Sequence, residues 1–316
     1  DFVQGRLYVL IRDAADARRV QDAMEAARDD FQFMDRTWDP YKAGTLGRVN
    51  QLLPMQGKFS APASVIPLFK TARHYYELSD GLFNPALGKL VELWGFDDDV
   101  PAGPPPDAKA VGALVAKNPG PDDVVVEDFM MRGTNEALKL DFGGVAKGYA
   151  VDRVIDHWRQ MGVRNAIVNA GGDLRAIGSK GGKPWRIGIR HPRGQGLIAS
   201  LTIEGDESVF TSGDYERYFE YKGERYHHIL DPRTGYPARG LTSVTVVDGS
   251  GALADAAATA LFVAGPDGWP KVAADMGLSQ VMVVRDDGVV ELTPAMARRI
   301  HFEADPAPEQ HIRALL

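Results

Sequence analysis

The chain of 316 residues contains no cysteine, which excludes disulfides, thiolate metal ligands and a cysteine nucleophile at once. It has no apolar run approaching the roughly 18 residues of a membrane-spanning helix. It also lacks a basic excess: 36 Lys and Arg stand against 43 Asp and Glu, for a net charge of −7. Such a balance offers no general grip on nucleic acid, so any phosphate-rich ligand needs a local site. The common nucleotide motifs are missing as well. Residues 178–183 (GSKGGK) fail the G-x4-G-K-[ST] pattern, no G-x-G-x-x-G follows a strand, and there is no G-x-S-x-G nucleophile elbow. No two histidines have the spacing of a zinc site. What remains is an ordinary globular composition, 44% hydrophobic and 25% charged, long enough for a sizeable core. The chain opens on Asp1 rather than Met, so a processed or trimmed product is expected. A signal peptide or lipid-bearing Cys lost in that processing would leave no trace.

Hydrophobic periodicity predicts a strand over 6–12, an amphipathic helix over 13–34 and a second helix over 65–78. Pro40 and Gly44 punctuate residues 39–50 as a loop. The acidic triplet 97–99 and the following PAGPPPD make 97–107 an irregular surface connection. Beyond it, strands are predicted at 124–126, 138–140, 165–168, 185–190, 197–203, 208–210, 217–221, 243–247 and 280–284. Helices are predicted at 145–161, 255–263 and 269–276. Strands outnumber the helices between them and several are joined by short turns. The fold class is therefore α+β, with mixed, largely antiparallel sheets and packed helices.

Three phrases concentrate chemistry. In LDFGGVAKGYAVD (140–152), a strand end delivers Asp141, two glycines turn the chain, and a helix begins that carries Lys147. Free amides at that helix start and the Lys147 charge suit an anion; equally, Asp141 serves as a helix cap and Lys147 as a solvated charge. In YHHILDPRTGYP (226–237), adjacent histidines on a strand face opposite ways, so one at most enters a given site. In ADAAATAL (254–261), Asp255 and Thr259 lie one helical turn apart on one face, among alanines. A carboxylate and a hydroxyl so placed suit a hard cation such as Mg²⁺, and equally an N-terminal Asp with a buried Thr bonded to backbone.

Taken with DGLFNPALGKLVELWGF (80–96), NAGGDLRAIG (169–178) and TSGDYERYF (211–219), these phrases resemble the ApbE family of flavin transferases, in family order, from about Trp38 to Gly265. The resemblance implies a single domain over 1–316 with a T-fold-like, two-lobed architecture. It implies Mg²⁺-dependent transfer of FMN from FAD to a threonine hydroxyl of an acceptor protein, within a Ser/Thr-Gly-Ala-Thr-like motif, with release of AMP. An FAD pyrophosphatase and a non-catalytic FAD-binding protein remain the alternatives. By residue, it implies that Asp141, Lys147, Leu82, Phe83, Asn84 and Ile229 contact FAD, that the Gly144 carbonyl, Asp255 and Thr259 hold Mg²⁺, and that His228 assists catalysis. Trp38 and Tyr41 are the candidates for the aromatic at the flavin. Where the family has Met-Gly-Thr before its first strand, this chain has Gln4-Gly5-Arg6. An exported, periplasmic location is also implied, with membrane contact only through a removed lipid anchor.

Overall fold

The computed structural model describes residues 7–11, 17–98, 100–203 and 205–315. Gln4-Gly5-Arg6, Asp13 and Asp99 lie outside them. In chain order, strand β1 (Leu7–Ile11) is followed by α1 (Ala17–Trp38), α2 (Thr45–Leu52), β2 (Phe59–Ser60), α3 (Ile66–Leu78), α4 (Gly88–Leu93) and α5 (Ala108–Val115). The hairpin β3 (Val124–Glu127) and β4 (Met130–Gly133) leads into α6 (Ala146–Gln160). Then come β5 (Ala166–Ala170), β6 (Asp173–Gly178), β7 (Trp185–Arg190), β8 (Leu197–Ile203), β9 (Gly205–Gly213), β10 (Tyr218–Tyr221), β11 (Glu224–His227) and β12 (Leu241–Asp248). Helix α7 (Gly251–Asp275), β13 (Gln280–Arg285), β14 (Val290–Leu292), α8 (Pro294–Ala297), β15 (His301–Phe302) and β16 (Gln310–Ile312) complete the chain.

The largest sheet runs β1-β5-β6-β9-β12-β13-β14-β16, antiparallel at every pair except β14–β16. Smaller sheets are β15-β8-β7 and β2-β4-β3, and β10 pairs with β11 alone. The α+β expectation holds. Helices α6 and α7 cover the large sheet, and their apolar sides, with those of α1 to α3, merge into one core around Trp158, Phe142, Phe262 and Trp269.

Two local expectations change. Residues 45–52 form α2 rather than continuing a loop. Gly44 is extended (φ −161°, ψ −168°) and precedes the first turn, and Leu46 and Val49 drive the helix by burying themselves. Residues 138–140 form no strand beyond a single bridge between Lys139 and Leu87. The Asn50 side chain stands in for a neighbouring strand there, accepting from the Leu140 amide and donating to its carbonyl, both at 2.8 Å. The helices expected at 255–263 and 269–276 are both present: α7 consists of two helical segments that meet where Gly265 takes a non-helical backbone (φ +73°, ψ −176°) ahead of Pro266.

Helices α6 and α7 meet at glycines. A Cβ on Gly148 would lie 2.1 Å from the Gly251 carbonyl oxygen. The contact is fastened by Asp152, whose carboxylate accepts from the amides of Gly251 (2.9 Å) and Ala252 (3.0 Å) at the start of α7. Gly148→Ala would gain about 1 kcal/mol of helix propensity and lose roughly 3 kcal/mol to overpacking. A net loss of about 2 kcal/mol in denaturant unfolding is expected. A variant as stable as wild type would show that the helices separate without cost.

Candidate active site

A cavity of about 710 Å³ opens beside the ends of α6 and α7, within the size range of small-molecule sites. Trp38, Leu82, Phe83, Asn84, Asp141, Gly144, Lys147, His228, Ile229, Asp255 and Thr259 all line it. The sequence phrases far apart in the chain therefore share one space.

Each arrives for a local reason. At the 79–84 turn, Ser79 Oγ accepts from the Phe83 amide (3.1 Å). Asn84 donates through Nδ2 to the Pro119 carbonyl and accepts from the Ala86 amide, both at 2.9 Å, so this segment is held by its own polar atoms. Asp141 accepts from the Gly143 amide at 2.8 Å and from the Tyr41 hydroxyl at 2.5 Å. That partnership and burial raise the Tyr41 phenol well above its ordinary pKa; burial is the larger cause. The Lys139 ammonium sits 4.6 Å from the centre of the Tyr41 ring. Trp38 and Tyr41 both border the cavity. Trp38 is almost wholly buried, donating through Nε1 to the Ser64 carbonyl (2.9 Å).

The charged heart of the site joins a half-buried ammonium to two buried carboxyl groups. Lys147, at the start of α6, pairs with Asp173. Burial alone would lower the Lys147 pKa, but Asp173 and Asp255 outweigh it and raise it, so the ammonium stays charged. Asp173 also accepts from the Thr211 amide (2.8 Å). It is delivered by the β5–β6 turn, where Gly171 and Gly172 both take positive φ and Ala170 pairs with Asp173. Its role as partner to Lys147 was not read from the sequence, although its place directly after a glycine pair was the available signal.

Asp255 is 5% exposed and accepts from the Gly148 amide at 2.9 Å, with no ion-pair partner within 4 Å among the described residues. Burial pushes its carboxyl up to about 7, against the pull of Lys147. One turn on, the Thr259 hydroxyl is 3.2 Å from that of Ser212 on β9. A Cβ on Gly144 would lie 3.1 Å from Thr259 Oγ1, so the Gly144 backbone abuts the same spot. A buried carboxylate without a cation, a hydroxyl and a backbone segment form an all-oxygen set that fits Mg²⁺. No group of three or more His, Cys, Asp or Glu side chains among the described residues could hold a metal.

The two histidines part ways. His227 is 3% exposed, donates through Nε2 to the Ala238 carbonyl (2.8 Å) and packs edge-on against Phe262. His228 lines the cavity with Nδ1 3.3 Å from the Arg217 carbonyl. A carbonyl only accepts, so Nδ1 carries the proton and Nε2 the lone pair. Burial, with the charges of Arg217 and Lys147, pushes the His228 pKa down to about 3, so the ring is neutral at neutral pH.

A cavity of this size that gathers an ammonium, a neutral histidine and several oxygen atoms has the character of a site for a small polar ligand. The family follows from comparison: the ApbE family model matches residues 6–283, and the chain belongs to that family. The chain is 38% identical over 299 residues to an FAD:protein FMN transferase of Rhodobacter capsulatus, covering 95% of this chain and 57% of that one. It is 32% identical to one from Vibrio cholerae, covering 90% and 85%. It spans 61% of the length of a Klebsiella pneumoniae relative that is 41% identical where they align. Among solved structures, the Thermotoga maritima ApbE protein superposes with a TM-score of 0.83 at 34% identity, covering 93% of this chain and 99% of that one. The Pseudomonas stutzeri flavinyl transferase ApbE gives 0.78 at 30% identity, covering 96% and 98%.

The depressed His227 pKa makes a stability prediction. The unfolded chain takes up a proton near 6.5 and the folded one only near 4. Stability from this group is thus full above 6.5 and falls as pH drops toward 4. In urea titrations at pH 7 and pH 5, His227→Gln should lose about 2 kcal/mol less between the two than wild type does. Equal losses would show that His227 titrates normally in the folded protein.

Proposed function

We propose that the protein transfers FMN from FAD to a threonine hydroxyl of an acceptor protein, releasing AMP. One observation carries the reading. The oxygen atoms suited to a hard cation, the paired Lys147 ammonium and the neutral His228 ring border a single cavity of ligand size. The names of the relatives point to the same chemistry.

In this reading FAD lies along the wall formed by Trp38, Leu82, Phe83, Asn84, Asp141 and Ile229, its pyrophosphate toward Lys147. The acceptor oxygen forms a bond to the FMN-side phosphorus, the bridging P–O bond breaks, and AMP leaves with the bridging oxygen. Lys147 offsets the growing phosphate charge, and its pairing with Asp173 fixes where that charge sits. His228 takes the hydroxyl proton on Nε2, the atom left unprotonated by the bond to Arg217. Pyrophosphate anions beside the ring favour its protonated form, raising its basicity from the low value imposed by burial. Asp255, Thr259 and the Gly144 carbonyl would hold Mg²⁺, which when bound supplies Lewis-acid neutralisation of the pyrophosphate. The target motif of the Ser/Thr-Gly-Ala-Thr kind and a periplasmic location belong to the same proposal and rest on the family likeness.

The test is direct. Incubation with FAD, Mg²⁺ and an acceptor protein should add one FMN to the acceptor, read as a mass shift, with one AMP released. Free FMN and AMP formed at a rate the acceptor does not change would instead make the protein a pyrophosphatase. Tight FAD binding without turnover at any Mg²⁺ concentration would make it a binding protein. Asp255→Ala should abolish metal-dependent transfer in a protein that still folds. His228→Ala should slow transfer roughly 100-fold or more while leaving FAD affinity nearly unchanged. Full turnover in His228→Ala would remove the proton-acceptor role.

A further inference from the structure

Strand β7 lies at the edge of the β15-β8-β7 sheet and pairs only with β8. Among the described residues, no backbone group of Trp185–Arg190 hydrogen-bonds to anything other than β8. Four successive residues of this strand, Ile187, Gly188, Ile189 and Arg190, line the same cavity as His228. Successive strand side chains point to opposite faces, and here Ile187 and Ile189 are buried while Gly188 and Arg190 are exposed. A single face of the strand therefore cannot supply all four contacts. The edge itself, with its unpaired amides and carbonyls, borders the site.

We infer that β7 is the docking edge for the acceptor, which adds to it as an extended strand and so brings its hydroxyl to the cavity. This inference rests on the transferase reading. Strand addition suits the task because the backbone ladder provides affinity while the threonine and its neighbours remain free for the site. A dinucleotide has no matching row of amides and carbonyls, whereas a peptide does.

Charge narrows the partner. The whole chain is acidic, yet residues 174–203 hold six Lys and Arg and no Asp or Glu. Arg175, Arg186 and Arg193 are paired with carboxylates from elsewhere in the chain. Lys180 and Lys183, just before β7, and Arg190, at its end, form no ion pair among the described residues. Arg190 instead lies 5.3 Å from the centre of the Tyr215 ring. Unpaired cations at both ends of the edge select an acceptor segment with acidic residues flanking the reactive hydroxyl.

The experiment uses the full chain and an acceptor protein shown to receive FMN, with its target threonine changed to alanine so that the complex does not turn over. Amide hydrogen exchange is read across Trp185–Arg190. The acceptor should slow about half of these amides, in alternation along the strand, by about tenfold or more. FAD alone should leave them unchanged. Lys183→Glu, just before β7 and outside the cavity, should raise the acceptor KM about tenfold while the FAD KM stays near wild type. Absence of protection with the acceptor bound, or equal protection by FAD alone, would overturn the assignment. An unchanged acceptor KM in Lys183→Glu would overturn the acidic-partner part. If the wild-type chain adds FMN to no acceptor, the transferase reading fails, and that result is separable from a complex that transfers FMN without engaging β7.

Discussion

Where α6 crosses α7, Gly148 sits so close to the Gly251 carbonyl that there is no room for a side chain on it. That contact decides the geometry of everything polar nearby. It brings the Gly148 amide within hydrogen-bonding reach of Asp255, and one residue earlier on α6 it leaves Lys147 near the same carboxylate. Asp152, a turn further along α6, fastens the crossing by capping α7. Arg175 balances that carboxylate and pairs with Asp206 as well. The register between the two helices is thus set by backbone contact and held by charge.

The consequence is an electrostatic arrangement that would be costly to assemble from free side chains. Asp173 and Asp255 are almost fully removed from water, Lys147 is half-buried, and of the three only Lys147 and Asp173 pair directly. The Asp255 carboxyl has one amide, from Gly148, and burial raises its pKa to about 7 against the pull of Lys147. His228 is held neutral by burial and oriented by a backbone carbonyl, which commits one ring nitrogen and leaves the other for chemistry.

Much of this was legible in the residues. The helical spacing of Asp255 and Thr259 placed both on one face, and the period-two rule separated His227 from His228. Both follow from repeat geometry that tertiary packing did not override. What the sequence hid was long-range. The loop expected over 39–50 contains α2 because Leu46 and Val49 find partners that no local pattern announces. Residues 138–140 read as a strand because they are apolar and alternate, but their backbone partner is a side chain, Asn50. Asp173 looked like part of a turn, and its importance lies in what it meets from α6. The break expected between 255–263 and 269–276 was legible, by contrast, and falls at Gly265, whose non-helical backbone separates the two segments of α7.

The first segment of helix α7, up to Gly265, also has almost no solvent face. Ala254, Ala256, Ala257, Ala258, Ala260 and Leu261 are all buried around its two polar side chains, so enlarging any of them disturbs the core. A helix packed on every side has no inexpensive way to alter what it presents. Drift in ligand preference across descendants of this chain would then fall on other walls, the exposed positions of β7 and the Tyr41 loop, where a changed side chain meets solvent rather than core. The wall built by the first half of α7 is the least evolvable surface of the cavity, and novelty must accumulate on the others.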